Sequence, residues 1–290
     1  MRYQSVFREG LFAGQTIIVT GGGSGIGRCT AHELAALGAH VALVGRKPDK
    51  LAAVQAEIAE DGGSASTHVA DIREEELVIR VIDEVLGLRG RIDGLVNNAG
   101  GQYRTAMKTI STKGFEAVVR SNLTGGFIFM REVFNRCMEA RGGAIVNVIA
   151  DIWNGWPDYA HSGAARGGML TLSETAACEW AASGVRVNCV APSGIASSGF
   201  DTYTPEAKAK ILEFPPTVPL QRYGTESEIS SAIVYLLSPA AAYITGSCIR
   251  VDGGTPNFRP STWKLQPSRN NEAFNGFHRS VPPDLLTKGI

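Results

Sequence analysis

Residues Thr20–Gly27 read T-G-G-G-S-G-I-G. They follow a β-branched run, Thr16–Val19, and precede a helical pattern, Arg28–Leu37. Strand, glycine turn and helix in that order is the context in which glycines carry information. Glycine tolerates positive φ and has no Cβ to hold a ligand away from the backbone. The helix that follows offers free N–H groups and a partial positive charge, which suit a phosphate. On that reading Gly21, Gly23, Ser24, Gly25, Ile26 and Gly27 form a dinucleotide-phosphate loop.

Outward from this loop, strand and helix patterns alternate. Strands are expected at His40–Val44, Ser66–Val69, Gly94–Asn97, Gly143–Ile149, Val185–Val190 and Cys248–Val251. Helices are expected at Pro48–Glu60, Glu74–Leu86, Lys113–Ala140, Ser162–Ala182 and Glu226–Leu237, with a short one at Pro205–Glu213. Most strands are continuous apolar runs, the pattern of a parallel sheet covered on both faces. The expected fold class is α/β, a single doubly wound Rossmann-type domain over residues 1–254. A lid over about 193–222 and an extended C-terminal tail over 255–290 complete it. The tail is rich in proline, and its Phe258, Trp263, Phe274 and Phe277 indicate docking, against a neighbouring subunit or at the active site.

The totals exclude several functions. Lysine plus arginine equal aspartate plus glutamate at 28 each in 290 residues, so no global field draws nucleic acid or an anionic membrane. The five cysteines, Cys29, Cys137, Cys178, Cys189 and Cys248, are odd in number and scattered, which reads as buried thiols in a reducing compartment. The five histidines have no ligand spacing, so no metal site is expected. No apolar run is long enough for a membrane helix. Neither a secretory signal at Met1–Leu11 nor a peroxisomal address at Lys288–Ile290 is present, and the cytoplasm is the expected location.

The strand ends refine the cofactor reading. Strand 2 ends Val44-Gly45-Arg46-Lys47. An acid in the place of Gly45 would bind a ribose 2′-hydroxyl; Arg46 and Lys47 instead suit a 2′-phosphate, which favours NADP(H). After strand 3, the Asp71 carboxylate can accept from the adenine amino group with Ile72 against the ring, or cap the next helix. After strand 4, Asn98, Ala99 and Gly100 give small residues for the cofactor to lie against, and the Asn97 and Asn98 side chains can brace neighbouring strands.

With these pieces the chain resembles the short-chain dehydrogenase/reductase family over about Gly10–Gly254. The resemblance rests on T-G-G-G-S-G-I-G at 20–27, A-D-I at 70–72, N-N-A-G at 97–100, S-N-L-T-G at 121–125, I-V-N at 145–147, R-V-N-C-V-A-P at 186–192 and I-T-G-S-C-I-R-V-D-G-G at 244–254. It implies a homodimer or homotetramer packed through long helices, and cofactor contacts at Pro192, Gly194 and Ile195. The family's usual site is a Ser, a Tyr-x-x-x-Lys and an Asn. Asn122 matches the Asn, which in the family sits at a helix kink. Ser162 falls at the Tyr position, Arg166 at the Lys position and Ala150 at the Ser position. Arg166 can still bond the nicotinamide ribose and place a charge there, but it is a poor proton carrier.

The segment His161–Arg166 with Glu179-Trp180-Ala181, and the run Asn98–Gln102, look most like the 2,4-dienoyl-CoA and peroxisomal trans-2-enoyl-CoA reductases. The proton donors of those relatives do not carry over, because Leu170 and a place near Asp151 stand in their positions. Candidate donors are Tyr159, Ser162 and Asp151. The resemblance implies reduction of a C=C bond conjugated to a thioester, with an acyl-CoA as the small-molecule substrate. The alternatives are a carbonyl or alcohol reductase using Tyr159 or Ser162, and a cofactor-binding sensor or assembly protein with little activity. Trp153, Trp156 and Pro157 are expected at the pocket mouth, with Phe200, Tyr203 and the 205–213 helix in the lid.

Overall fold

The computed structural model describes residues 2–197, 200 and 211–288. Tyr203 and most of the expected 205–213 helix lie outside these; Ile211–Glu213 are helical.

The apolar runs form one seven-stranded sheet in the order β3-β2-β1-β4-β5-β6-β7. The strands are β1 (Thr16–Thr20), β2 (His40–Gly45), β3 (Ser64–Val69), β4 (Gly94–Asn97), β5 (Gly143–Val148), β6 (Val185–Pro192) and β7 (Cys248–Val251). Every pairing is parallel. The order reverses between β1 and β4, and a crevice at the carboxyl ends of the strands follows from that reversal.

Two layers of helices cover the sheet. On one face, α1 (Gly25–Ala36), α2 (Pro48–Glu60) and α8 (Glu226–Leu237) enclose Ile17, Val19, Leu43, Val146 and Val190. On the other, α3 (Glu75–Arg89), α4 (Thr112–Val119), α5 (Gly125–Val133), α6 (Glu139–Arg141) and α7 (Ala160–Glu179) lie over Ile18, Leu95, Ile145 and Val187. Burial on both faces explains why the strands are apolar throughout instead of alternating.

Three boundaries differ from expectation in ways that affect the site. Helix α1 begins at Gly25, not Arg28, so the glycine loop closes directly into the helix. Helix α7 begins at Ala160, which places Ser162 inside its first turn and Tyr159 at the N-cap position. The expected long helix is interrupted by π turns at Arg120–Thr124 and Phe134–Met138. At the first of these the Asn122 Nδ2 donates to Val118 O at 2.9 Å and widens the ladder. A π turn of this kind often marks a functional position.

The tail docks on its own chain. Gln4 N–H donates to Gly276 O at 2.8 Å, pinning the tail to the N-terminal segment. Phe277, 2% exposed, stacks on Tyr3 at 5.9 Å and on His32 at 4.9 Å, with the Arg28 guanidinium over its ring at 4.9 Å. Arg279 pairs with Glu60 and Asp61 at the end of α2. The tail carries one short helix, α9 (Asp284–Lys288). Trp263 stays 67% exposed, so the four aromatics do not act together as the sequence suggested.

The thiols are all free, but Cys178 is exposed and Cys248 half-buried, so the expectation of five buried thiols holds for Cys29, Cys137 and Cys189. Among the described residues no helix is long and apolar enough to cross a membrane. Among them also, no group of three or more His, Cys, Asp or Glu side chains is gathered to hold a metal.

Candidate active site

At the dinucleotide end, the glycines do two different jobs. Gly21 has φ +69° and its N–H donates to Val44 O at 2.8 Å. A Cβ on Gly21 would lie 2.7 Å from Asn98 Nδ2, and one on Gly27 would lie 2.5 Å from the same atom and against Gly21 O. These two glycines let the loop press on the N-N-A-G turn. Gly23 sits against Lys50, where a Cβ would come within 3.1 Å. Gly25, at φ +56°, is the open one: beyond the loop itself a Cβ there would meet just the Glu226 carboxylate, at 3.8 Å. Ser24, the N-cap of α1, makes no side-chain cap bond, and the first turn of α1 holds no acid. The N–H groups of the first turn are therefore offered to a ligand, as an anion-binding helix end requires.

The N-N-A-G turn is braced as the side chains allow. Thr20 Oγ1 accepts from the N–H groups of Asn98 and Ala99, both at 3.0 Å. Asn98 Nδ2 donates back to Thr20 O at 3.0 Å. Behind it a buried polar ladder runs from Asn97 Nδ2 to Asn147 Oδ1 at 2.9 Å, and from Asn147 Nδ2 to Ser173 Oγ at 2.8 Å. This ladder ties β4, β5 and α7 together.

Arg46 and Lys47 stand exposed at the end of β2, with Gly45 against Leu51. Neither side chain makes a hydrogen bond or ion pair with a described residue. Asp71 is not a helix cap: α3 takes Glu74 for that. Its carboxylate is forked by Arg73 Nε at 2.9 Å and Nη2 at 2.5 Å. Those bonds to Arg73, with burial opposing and the Arg46 charge adding, hold its carboxyl below the usual range. Nothing in the sequence marks Arg73, which follows the A-D-I run, as the partner of Asp71. Ile72 is buried against Gly125, where a Cβ would come within 2.7 Å of its Cγ1, so its side chain belongs to the core.

The candidate catalytic corner is assembled from three places. Asn122 Oδ1 accepts from Gly101 N–H at 3.2 Å, and its Nδ2 donates to Gly101 O at 2.6 Å. A Cβ on Gly100 would strike the Asn122 carboxamide and lie 2.7 Å from Arg166 Nη2, which leaves a cradle between the turn and α7. Arg166 donates from Nη1 to Val148 O at 2.6 Å, and its Nε is buried without a partner. Burial lowers the guanidinium to about 10, which still leaves it charged at neutral pH. Ser162, fully buried, donates from Oγ to Gln102 Oε1 at 2.6 Å, and its N–H donates to His161 Nδ1 at 2.8 Å. His161 is itself buried, edge-on to Tyr103 at 4.6 Å. Gln102 is the second residue whose partnership the sequence did not disclose.

The other two candidates have further neighbours. The Tyr159 ring packs on Trp156 at 4.9 Å. Asp151 donates its N–H to Pro192 O at 2.9 Å, and its carboxyl is raised by burial and then by the Asp252 charge. Asp252 pairs with Arg250 at 3.7 Å, and Arg250 lies over Trp153 at 5.3 Å. Asp151 thus belongs to a group at the ends of β5 and β7.

Beyond β6, Gly194 fits under Tyr223, whose Cε1 would be 2.8 Å from a Cβ there, and Ile195 pairs with Gly224. Phe200 and Phe214 pack on Tyr223 at 5.1 and 5.0 Å. A cavity of about 570 Å³ opens here, walled by Gly194, Ile195, Phe214, Val218 and Leu220. It does not include Asn122, Ser162 or Arg166. Arg222, beside this cavity, donates to Glu228 at 2.7 Å and to Asn271 O at 3.0 Å.

A parallel sheet whose order reverses at a glycine loop, with an open helix N-terminus and a cradle at Gly100, fits a nicotinamide dinucleotide laid across the strand ends. The comparisons agree. The family profile described as Enoyl-(Acyl carrier protein) reductase matches residues 21–256. A Danio rerio peroxisomal 2,4-dienoyl-CoA reductase is 31% identical over 255 residues, 87% of this chain and 85% of its own. A Synechocystis 3-oxoacyl-[acyl-carrier-protein] reductase is 38% identical over 248 residues, 84% of this chain and 98% of its own. The solved structure of the citronellol catabolism dehydrogenase (AtuB) of Pseudomonas aeruginosa is 57% identical, with a TM-score of 0.79, and is matched over 88% of this chain and 100% of its own. The chain belongs to the short-chain dehydrogenase/reductase family and is an NAD(P)-type oxidoreductase of that family.

Proposed function

We propose that this oxidoreductase uses NADP(H) to reduce the C=C bond of a 2-enoyl or dienoyl thioester. The observation that carries the reading is the Ser162–Gln102 pair beside Arg166. A serine hydroxyl and a carboxamide are hydrogen-bonding groups, and an arginine charge is permanent at neutral pH; none of the three readily gives up a proton. Such a set suits an oxygen on which charge accumulates. When bound, the nicotinamide supplies hydride to the β-carbon of the alkene. Negative charge then develops on the thioester oxygen, and stabilising it is the chain's main task. Asn122 keeps the Gly101 backbone in place, while Arg166 provides the positive charge behind the turn. The α-carbon takes its proton from water. A ketone reductase must protonate an alkoxide, for which a tyrosine–lysine pair is better suited.

The likeness to 2,4-dienoyl-CoA reductases supports this reading. The 57% identical protein is named for citronellol, a branched, acyclic, apolar alcohol. Phe214, Val218 and Leu220, in a cavity also lined by Arg222, Glu228, Arg250 and Asp252, offer an apolar side to a branched acyl chain of that kind. The name "dehydrogenase" of that relative, and the oxoacyl reductases, favour the second reading of carbonyl or alcohol chemistry. Exposed Arg46 and Lys47 support NADP(H) over NAD(H). Phe115 and Phe127, 39% and 38% exposed on α4 and α5, support a homodimer or homotetramer through those helices.

The test mixes purified protein with NADPH and straight or methyl-branched 2-enoyl-CoA, then with ketones, and follows loss of reduced nicotinamide. Turnover of enoyl thioesters is the expected result; turnover with ketones alone overturns it. Tight NADPH binding without turnover on either would point to a binding protein. Arg46→Ala is expected to weaken NADPH by roughly tenfold or more, the scale of a charged hydrogen bond, and to leave NADH unchanged.

A further inference from the structure

Glu226 opens α8, and its carboxylate hangs over Gly25, the open glycine of the loop, 3.8 Å from the position a Cβ would take. No described residue donates a hydrogen bond to that carboxylate or forms an ion pair with it. The cation facing it from α1 is Arg28, which is already forked onto Glu57 at 2.8 Å through both Nε and Nη2. Cys29 is the other titratable group on α1 that senses it. On its own helix, Glu228 is occupied by Arg222 and by the Thr225 N–H. The tail brings no charge to this point, because His278 and Arg279 are engaged with Asp61 and Glu60.

The turn that carries the acid is held. Thr225 and Glu228 close a capping box around it. The tail grips the same turn: Thr225 Oγ1 donates to Phe274 O at 2.5 Å, and Phe277 N–H donates to Ser227 Oγ at 3.2 Å. A carboxylate thus stands at the helix N-terminus where the family's cofactor places its phosphates. Ionised, it opposes them. Neutral, its O–H can donate to a phosphate oxygen. Burial raises this group to about 7, against a smaller lowering by Arg28, so both forms exist near neutral pH.

We infer that Glu226 is a proton-linked contact for the cofactor phosphates, binding them as the acid and repelling them as the carboxylate. The inference rests on the reading of an NAD(P) site, but not on which bond the enzyme reduces.

The experiment is calorimetric titration of the full-length protein with NADP⁺ between about pH 6 and pH 8.5, in buffers of different ionisation enthalpy. The 2′-phosphate titrates near pH 6 in every variant, so the difference from Glu226→Gln is what is read. Wild type should lose roughly tenfold in affinity across that range beyond any loss in the variant, one pKa unit of linkage being tenfold. It should also take up a fraction of a proton on binding near neutral pH. Glu226→Gln and Glu226→Ala should show neither effect. Equal slopes and equal proton uptake in wild type and both variants would overturn the inference with the cofactor site intact. If no variant binds NADP⁺ or NAD⁺, the cofactor reading itself fails and the inference falls with it.

Discussion

The dinucleotide end and the candidate catalytic corner both lie at the carboxyl ends of the strands but are built on opposite principles. Around Gly21–Gly27 the geometry is set by absent side chains: Gly21 and Gly27 leave room for Asn98, and Gly25 leaves the end of α1 open. Around Ser162 and Arg166 it is set by side chains that arrive from distant places: Gln102 from the turn after β4, Asn122 from a π turn, Arg166 from α7. Substitution at the first end disturbs the backbone of the whole crevice. Substitution at the second changes one contact.

The comparison is broken most directly at Gly27. A methyl group there must push against Gly21 O and Asn98 Nδ2. Gly27→Ala is expected to lose about 1–3 kcal/mol of stability by overpacking. Dinucleotide affinity should fall by roughly 100-fold, as expected for a displaced binding group. Thermal unfolding with and without NADPH measures both. A variant that binds as wild type would show that the loop yields, and the contrast between the two ends would collapse.

A loss confined to turnover, without the loss of stability, is expected at Arg166. Arg166→Met removes a charge that is buried beside the cradle and bonded to Val148 O. kcat should fall by roughly 100-fold, the usual cost of removing one stabiliser of developing oxygen charge. Arg166→Lys should recover part of it, because a point charge remains while the planar fork is lost. If Lys and Met behave alike, the charge is not what matters there. Loss of NADPH affinity with kcat unchanged would assign Arg166 to the ribose instead.

What could be read from sequence follows the same division. Glycines, apolar runs and a turn such as N-N-A-G are contiguous, so their physics is local and they announce the sheet, the loop and the cofactor crevice. Even there the helix starts at Gly25, ahead of the Arg28 that the pattern suggests, because residues 25–27 serve both loop and helix. Ser162 was in view as a candidate, but its partner Gln102 lies in another element, and no periodicity links the two. Asp151 and Asp252 are brought together by the β5-β6-β7 order, which the chain states only after folding. The tail's attachment to Tyr3 and His32 was equally invisible, since Phe277 reads as one aromatic among several in a proline-rich stretch.

The mildest test concerns the Ser162–Gln102 bond itself. Ser162→Ala leaves Gln102 Oε1 without its donor but keeps the backbone of α7, and Gln102→Ala leaves the hydroxyl unpaired in a buried position. If the two act as one oxygen-binding unit, their losses in kcat/KM do not add, and the double-mutant cycle yields a coupling of about 0.5–3 kcal/mol. Each single variant should lower kcat more than it raises KM, because the contact strengthens as charge appears on the substrate oxygen. A pair that merely supports the start of α7 would instead show coupling in unfolding free energy and none in turnover. The same cycle run on stability therefore separates the two roles. It also decides whether the corner, like the loop, is a place where the fold alone sets the chemistry.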